Sequence, residues 1–125
     1  MKLQRRSQPV SDSAIVAKAT IRAAERLGLT SRVVARVLGV SEATISRMRT
    51  GDYPLAAGQK PFELAVMFVR LYRSLDAIVG GDDKVAGEWL RNKNTALNAR
   101  PLDLIQSVTG LVNVVQYLDA RRALI

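Results

Sequence analysis

The sequence has 125 residues and contains neither cysteine nor histidine. Without these residues the chain cannot form a disulfide, a zinc site built from Cys and His, or a nucleophile activated by histidine. An enzyme built from this sequence would depend on carboxylates, lysine, tyrosine or a borrowed cofactor. We therefore expect a protein that is not an enzyme and that uses no cofactor and no metal.

Long apolar runs are absent as well. The most apolar stretch, residues 62–72, contains Glu63 and Arg70 and is far too short to span a bilayer. The N-terminus is basic, but no apolar core typical of a signal peptide follows it. These features predict a cytoplasmic protein whose partners include neither a membrane nor a small-molecule substrate.

Positive charge is abundant and unevenly distributed. The chain has a formal net charge of +8. Residues 1–50 contain ten Lys or Arg and three Asp or Glu, a net of +7, whereas residues 51–125 have a net of only +1. A polyanionic partner for the first part is one interpretation of this asymmetry, and a solvated basic face is the other.

Apolar residues recur at helical spacing along almost the whole chain, and no alternating strand pattern appears. The sequence therefore predicts an all-α fold, with Ile15, Ala19, Ala23 and Leu27 on one face of the first helix. Gly110 is expected to interrupt the chain between the last two helices. We place the boundary between two regions, 1–54 and 55–125, at the loop that follows residue 53. The predicted helices cover residues 13–27, 31–38, 42–49, 61–79, 84–92, 101–108 and 111–119.

Residues 31–50 have the pattern of a helix-turn-helix, reading SRVVARVLGVSEATISRMRT. The small Ala35 suits the point where two short helices cross, and Gly39 suits a turn that requires positive φ. Apolar residues that would join the two helices fall at Val34, Leu38, Val40, Ile45 and Met48. In this spacing the segment resembles the helix-turn-helix of Xre/Cro-type DNA-binding proteins.

The second helix of such a unit lies in the major groove of DNA. Burial of Ile45 and Met48 would turn the other face outward, and Arg47 is the best candidate for reading a base because its guanidinium matches the acceptor pair of guanine. The candidate DNA-binding residues are Ser41, Glu42, Ala43, Thr44, Ser46, Arg47, Arg49, Arg32 and Arg36. Within this set Ser41 is first a helix cap, and Arg32, Arg36 and Arg49 are predicted phosphate contacts together with Arg5 and Arg6.

The alternative interpretation is a helix-turn-helix used only for packing. If the unit does bind DNA, one helix reads only a few base pairs, so we expect a homodimer on a palindromic operator. The helix around Phe62, Val66, Val69 and Tyr72 is apolar on more than one face, which suits a dimer interface.

The second region carries a dispersed set of motifs. In order along the chain they are Gly87-Glu88-Trp89-Leu90, Asn94, Leu97, Pro101-Leu102-Asp103-Leu104, Gly110, Val114-Val115 and Leu118. In order and spacing this set is similar to the toxin-binding domain of Xre/MbcA/ParS-type antitoxins. Residues 97–101 depart from that pattern, where the family often has a glycine soon after the leucine. Both regions match, so the resemblance covers roughly residues 13–120.

The resemblance implies an antitoxin of a type II toxin–antitoxin system. Residues 1–54 would be its helix-turn-helix region, and residues 55–125 would form a small helical toxin-binding and dimerisation domain. The partner would be a RES-type toxin of ADP-ribosyltransferase-like fold that degrades NAD, and the antitoxin would repress its own operon. A stand-alone Xre-type dimeric repressor with no toxin partner is the alternative.

The C-terminus ends in two apolar residues, Leu124 and Ile125, where solvent is normally expected. Either they fold back on the core of the protein, or they form an arm that inserts into a partner. The second interpretation agrees with the resemblance, which implies that the last residues lie at the mouth of the toxin's active-site cleft. The candidate toxin-binding residues are Tyr117, Leu118, Arg121, Arg122, Leu124 and Ile125.

Two further features have competing interpretations. Trp89 is expected in the core, with an interface anchor as the alternative. Asp82, Asp83 and Glu88 could suggest a metal or acid–base site, but we expect them to cap a helix and to complement its dipole.

Overall fold

The computed structural model describes residues 11–52 and 54–124. Within them the chain forms seven α-helices and no strand, which confirms the all-α fold. The helices are α1 (Asp12–Leu27), α2 (Ser31–Leu38), α3 (Glu42–Arg49), α4 (Lys60–Ile78), α5 (Asp83–Arg91), α6 (Pro101–Leu104) and α7 (Val108–Arg122). Over the same residues, no helix combines the length and the apolar character that crossing a membrane requires.

The first three helices begin and end where local chemistry predicts. Side-chain oxygens of Ser11, Thr30 and Ser41 accept hydrogen bonds from backbone N–H groups in the first turns of α1, α2 and α3. Gly28 and Gly39 end α1 and α2 at φ values of 70° and 72°, which residues with a side chain rarely adopt. These caps confirm the predicted boundaries of the helix-turn-helix.

The helix-turn-helix is held together by the apolar residues of its motif. Val34, Leu38 and Ile45 are completely buried, Met48 is 3% exposed, and Ala35 is buried at the crossing of α2 and α3. Since these side chains fill the space between the two helices, the opposite face of α3 is left to solvent.

The long helix α4 connects the two regions of the chain. It packs against α1, α2 and α7. Its buried residues Phe68, Leu71 and Leu75 belong to one apolar cluster that also includes Leu38 of α2 and Leu118 of α7. The core is therefore continuous across residue 54, and the division into 1–54 and 55–125 stays a prediction.

A second connection joins the end of α1 to α5. The Arg91 guanidinium donates hydrogen bonds to the carbonyl oxygens of Gly28 at 2.7 Å, Leu27 at 3.3 Å and Gly87 at 2.8 Å. A cation suits this position because the last carbonyls of a helix carry partial negative charge. The space at Gly87 is tight, since a Cβ atom there would lie 2.8 Å from the same guanidinium and 3.2 Å from the Leu27 carbonyl oxygen, so a larger residue would displace Arg91 from this position.

The prediction that Gly110 interrupts the chain is wrong. Helix α7 begins at Val108, is capped by Ser107 and runs through Gly110, whereas α6 ends early at Leu104. A Cβ atom at Gly110 would lie only 1.9 Å from the Leu104 carbonyl oxygen. The glycine therefore permits a close approach between α6 and α7 and does not end a helix.

The predicted inner face of α1 is also wrong in one residue. Ile15 is 54% exposed, whereas the buried positions are mostly alanines, including Ala17, Ala23 and Ala24. Small side chains let α1 pack closely on its neighbours, and Ile15 then lies beside the core instead of within it.

Candidate functional site

The outer face of α3 has the orientation that the helix-turn-helix pattern predicts. Ile45 and Met48 point into the core, and Thr44 is half-buried at the margin. The residues that α3 exposes to solvent and that we predict as DNA-binding are Glu42, Ala43, Ser46, Arg47 and Arg49. The exposed face is thus short and polar, and it is accessible to a partner whose groove is wide enough to hold a helix.

Arg47 lies at the centre of this face and is only loosely held. Its Nη2 atom donates to the Thr44 hydroxyl at 3.2 Å, and its Nε atom lies 3.7 Å from an Asp52 carboxylate oxygen. Half of the Arg47 side chain is exposed, and ion pairs between solvent-exposed groups contribute little to stability. The guanidinium can therefore exchange these partners for other acceptors at small cost.

Ser41, Thr44 and Arg47 form one row along α3, at intervals of three residues. The Ser41 hydroxyl accepts from the Thr44 backbone N–H at 3.1 Å, and the two hydroxyl oxygens are also 3.1 Å apart. Because the first N–H groups of a helix carry partial positive charge, this row offers donors at its N-terminal end and a cation further along.

The arginines that flank α3 have different environments. Arg32 and Arg36 are exposed, and Arg36 donates to the Gln106 side chain at 3.4 Å. Arg49 instead contacts both Ser31 at 3.3 Å and Glu25 at 3.4 Å, so its side chain joins α3 to α1 and α2. A phosphate contact by Arg49 would have to compete with the Glu25 carboxylate. The predicted contacts Arg5 and Arg6 lie outside the described residues.

An aromatic pair marks the surface of the second region. The rings of Trp89 and Tyr117 stack with their centroids 6.3 Å apart and their planes 14° from parallel. The guanidinium of Arg121 lies 5.7 Å from the centre of the Tyr117 ring and donates to its hydroxyl at 2.9 Å. Trp89 is half-buried and packs against the core, so the structure agrees in part with the expectation that it belongs to the core. We call Trp89, Tyr117 and Arg121 the aromatic cluster.

A polar network holds the last turns of α7 against α4. Ser74, completely buried on α4, donates to an Asp119 carboxylate oxygen at 2.7 Å, and the other oxygen of Asp119 pairs with Arg70. Arg122 donates to the Ser74 hydroxyl at 3.5 Å. These contacts fix the direction in which the C-terminal residues leave the protein.

The C-terminal residues differ sharply in exposure. Leu118 is only 1% exposed and belongs to the core, and its role as a toxin contact stays a prediction. Arg121 and Arg122 are exposed, and Leu124 is 83% exposed and therefore does not fold back on the core. Ile125 lies outside the described residues.

The acidic residues near the start of α5 have structural partners. Asp82 caps the helix by accepting from the Val85 backbone N–H at 3.2 Å, as predicted, and Asp83 lies 3.7 Å from Arg26 of α1. Glu88 is exposed on α5. Among residues 11–52 and 54–124, no three His, Cys, Asp or Glu side chains are grouped so that they could hold a metal ion.

Two families match the chain, and together they cover nearly all of these features. The antitoxin Xre-like helix-turn-helix domain matches residues 8–70, and the antitoxin Xre/MbcA/ParS C-terminal toxin-binding domain matches residues 74–123. The chain belongs to the Xre/MbcA/ParS-type antitoxins. A search of curated proteins found no match.

In this antitoxin the two matched segments meet within α4, between residues 70 and 74. The outer face of α3 lies in the DNA-binding helix-turn-helix domain, and the aromatic cluster lies in the toxin-binding domain. Families of this kind are generally non-enzymatic.

Two pKa shifts follow from local contacts in the antitoxin. Arg100 donates two hydrogen bonds to the Asp103 carboxylate, at 2.9 and 3.0 Å, and these hold the pKa of Asp103 below its usual range. Burial raises the pKa of the Tyr72 phenol, and the nearby carboxylates of Asp76 and Asp83 raise it further. Tyr72 therefore stays protonated at neutral pH and can act as a hydrogen-bond donor.

Sequence reasoning missed the contacts that join α7 to α4 and α5 to α1 in the antitoxin. Ser74 and Asp119 are 45 residues apart, and Arg91 is more than 60 residues from the carbonyl groups of α1 that it contacts. The only local signal was a serine on an otherwise apolar face of α4. Contacts at this separation leave no trace in helical periodicity.

Proposed function

We propose that this antitoxin represses its own operon by placing α3 in the major groove of operator DNA. The exposed face of α3, with Arg47 held only by Thr44 and Asp52, is the observation that supports this proposal most strongly. Arg47 would donate to the two acceptors of guanine, and Arg32 and Arg36 would contact phosphates. The net charge of +7 in residues 1–50 suits a polyanion.

The repressor acts as a homodimer in this proposal. One recognition helix reads only a few base pairs, so two copies related by a two-fold axis would bind half-sites about 34 Å apart on a palindromic operator. Each neutralised phosphate adds a slope of about −0.9 to the dependence of log affinity on log salt concentration. Operator affinity that barely changed with salt would exclude phosphate contact by the basic face.

The second half of the proposal concerns the toxin. We infer a RES-type, NAD-degrading toxin that the antitoxin blocks by occlusion, without any catalysis of its own. The aromatic cluster supplies rigid, half-buried rings beside a cation, a type of side chain enriched at the centre of protein interfaces. The exposed Leu124 extends beyond it, where an apolar side chain gains most from burial in a partner.

Co-expression tests this proposal directly. The full chain, and a chain that ends at Ala120, would each be expressed with the protein encoded by the adjacent gene, while growth and cellular NAD are followed. We expect the full chain to restore both and the truncated chain to restore neither, because residues 121–125 include Arg121, Arg122 and Leu124.

The Arg47→Ala variant is the matched control, because this proposal assigns Arg47 to DNA binding and residues 121–125, the C-terminal arm, to toxin binding. It should protect cells as well as the unmodified chain while it loses operator binding. A harmless neighbour, or no protection by the full chain, would exclude the toxin-blocking role and leave a stand-alone repressor.

A further inference from the structure

A groove between α1 and α4 exposes aliphatic side chains to solvent. Ile15 and Ala19 of α1 line it, together with Val66 and Val69 of α4. Ile15 is 54% exposed and Val66 is 43% exposed. The groove consists of two adjoining hollows of about 440 and 480 Å³, and Ile15, Ala19 and Val69 line both of them. One continuous apolar strip is therefore open between the two helices, a feature typical of an interface with another protein.

The charged residues that line this α1–α4 groove are all positive. They are Lys18, Arg22, Arg70, Arg73 and Arg122. Arg70 pairs with Asp119, and Arg122 donates to the Ser74 hydroxyl. Among residues 11–52 and 54–124, Lys18, Arg22 and Arg73 form no ion pair with a carboxylate. Three exposed positive charges without an acidic partner thus lie beside the apolar strip.

The α1–α4 groove is distinct from the two surfaces used by the proposed function. Among the described residues, none of α3 and none of the aromatic cluster lines it. Its lining on α1 and α4 lies between positions 15 and 73, before the segment 74–123 that matches the toxin-binding domain. The groove is therefore a third surface, to which neither DNA nor toxin binding assigns a role.

We propose that the α1–α4 groove binds an acidic amphipathic helix of a partner protein. The apolar face of that helix covers Ile15, Val66 and Val69, as in other proteins that receive a helix in a hydrophobic groove. Its Glu or Asp side chains flank the apolar face and pair with Lys18, Arg22 and Arg73. The lining on α1 extends from residue 15 to residue 23, about 12 Å at about 1.5 Å per residue, which matches about two turns of a bound helix.

The charge of the groove selects this occupant over the others. A second copy of the chain would bring one set of cations against another. Residues 1–10 of the chain itself contain Lys2, Arg5 and Arg6 and no acidic residue, so the groove would repel them. A nucleic acid would neutralise the cations but would leave the aliphatic side chains in water. Only a segment that is both acidic and apolar satisfies the two parts of the groove.

A designed peptide tests the proposed chemistry. The probe is a labelled helical peptide with leucines at positions i, i+3, i+4 and i+7 and glutamates on both flanks of that face. Fluorescence anisotropy should show that it binds, whereas a peptide of the same composition in shuffled order, which has no apolar face, should bind about tenfold more weakly. Equal binding of the two peptides, or no binding of the designed one, would overturn the proposal.

Charge reversal then locates the bound peptide. Lys18→Glu and Arg73→Glu should each raise the Kd of the peptide about tenfold, because each variant replaces an attraction with a repulsion. Lys93→Glu is the matched control, since Lys93 is exposed outside the groove and undergoes the same change of charge. It should bind the peptide as the unmodified chain does. Equal weakening by Lys93→Glu would show that only net charge attracts the peptide, which would overturn the site.

Cysteine protection gives a second measurement that does not depend on charge. The natural chain has no cysteine, so an alkylating reagent reports only on an introduced one. With the peptide at about ten times its Kd, alkylation of Ile15→Cys should slow about tenfold, because only the free protein reacts. Asn113→Cys, exposed on α7, is the control and should react at an unchanged rate. Failure of the peptide to protect Ile15→Cys would overturn the proposal.

The same assay tests the other occupants. A non-operator DNA duplex and phosphatidylglycerol vesicles should each protect Ile15→Cys less than the peptide does. Equal or stronger protection by DNA or by vesicles would assign the groove to a polyanion or to an anionic membrane and overturn the proposal. Alkylation that slows as the protein concentration rises, with no peptide present, would assign the groove to a second copy and overturn it as well.

Discussion

The outer face of α3 and the C-terminal end of α7 present their candidate functional side chains in different ways. Around α3, the buried residues that orient the face, Ile45 and Met48, lie within a few positions of the exposed ones. At the end of α7, orientation depends on Ser74, which lies 45 residues before its partner Asp119. One surface is thus specified by a local motif, and the other depends on contacts between helices that are distant in sequence.

The two surfaces should therefore tolerate different substitutions. The face of α3 should keep its shape as long as the small apolar set of the helix-turn-helix is intact. The end of α7 should no longer be held in place against α4 when residues far from it in sequence are changed. Four substitutions, ordered here by the size of the expected effect, test this contrast between the two surfaces.

The largest expected effect is that of Gly110→Ala. The added Cβ would lie 1.9 Å from the Leu104 carbonyl oxygen, so α6 and α7 must move apart. Overpacking of this kind typically costs about 1–3 kcal/mol, and we expect the free energy of unfolding, measured with urea, to fall by about 3 kcal/mol or more. Thr109→Ala, exposed in the same turn, is the control and should be nearly neutral. Equal stability of the two variants would show that the close approach is unimportant.

The next effect is that of Asp119→Ala, which removes the acceptor of the buried Ser74 hydroxyl and the partner of Arg70. Leaving a buried donor without an acceptor costs about 1–3 kcal/mol, so thermal unfolding should move to lower temperature. If the residues after Asp119 bind the toxin, as proposed, toxin affinity should fall as well, because Asp119 holds the end of α7 against α4.

Asp103→Asn is the matched control for Asp119→Ala, since Asp103 forms an ion pair with Arg100 that is exposed to solvent. At neutral pH it should lower the Tm only slightly and leave toxin affinity unchanged. If Asp119→Ala lowered stability but left toxin affinity unchanged, Asp119 would not position the arm.

A third prediction concerns Arg47→Ala. If Arg47 donates to a base, the variant should lose about 1–3 kcal/mol of operator binding, which is roughly a fivefold to a hundredfold loss of affinity. Its unfolding temperature should stay the same, because the contacts of Arg47 with Thr44 and Asp52 are exposed. Fluorescence anisotropy with labelled operator DNA measures the affinity.

The comparison variant for Arg47→Ala is Arg32→Ala, a predicted phosphate contact. It should weaken binding to specific and non-specific DNA alike. The slope of log affinity against log salt concentration should become shallower by about 0.9, the contribution of one phosphate contact. If Arg47→Ala behaved in this same uniform way, Arg47 would contact the backbone and would not read a base.

The smallest effect is a pH dependence from Asp103. The hydrogen bonds from Arg100 lower the pKa of Asp103 in the folded state, so the pair stabilises the fold above the unfolded pKa of about 3.9. That contribution should be lost as the pH falls through the lower folded value. The Tm difference between the unmodified chain and Asp103→Asn should therefore shrink on acidification. A difference that grew instead would contradict the direction of the shift.

Local chemistry made much of the fold predictable. Each cap acts within a few residues of the helix end that it sets. The end of α1 at Gly28, both ends of α2 at Thr30 and Gly39, and the start of α3 at Ser41 were therefore predicted correctly. The burial of Ile45 and Met48 followed from helical geometry in the same way.

Interactions between helices explain where the structure differs from what the sequence pattern suggests. Gly110 was expected to end a helix, as glycine often does. Its actual role is to allow the close approach of the Leu104 carbonyl oxygen, and that contact depends on how α6 and α7 pack together. Leu118 is buried because α7 packs against α4, and Ile15 is exposed because the alanines of α1 already fill that contact. Periodicity identifies an apolar face but does not say which neighbour covers it.

The separation of the two surfaces is tested most directly by one titration of operator DNA with three proteins. These are the unmodified chain, Arg47→Ala, and the chain that ends at Ala120. We predict that Arg47→Ala binds roughly fivefold to a hundredfold more weakly, while the truncated chain binds as tightly as the unmodified one. Equal binding by all three, or a truncated chain that binds as weakly as Arg47→Ala, would contradict a DNA-reading α3 that acts independently of the C-terminal arm.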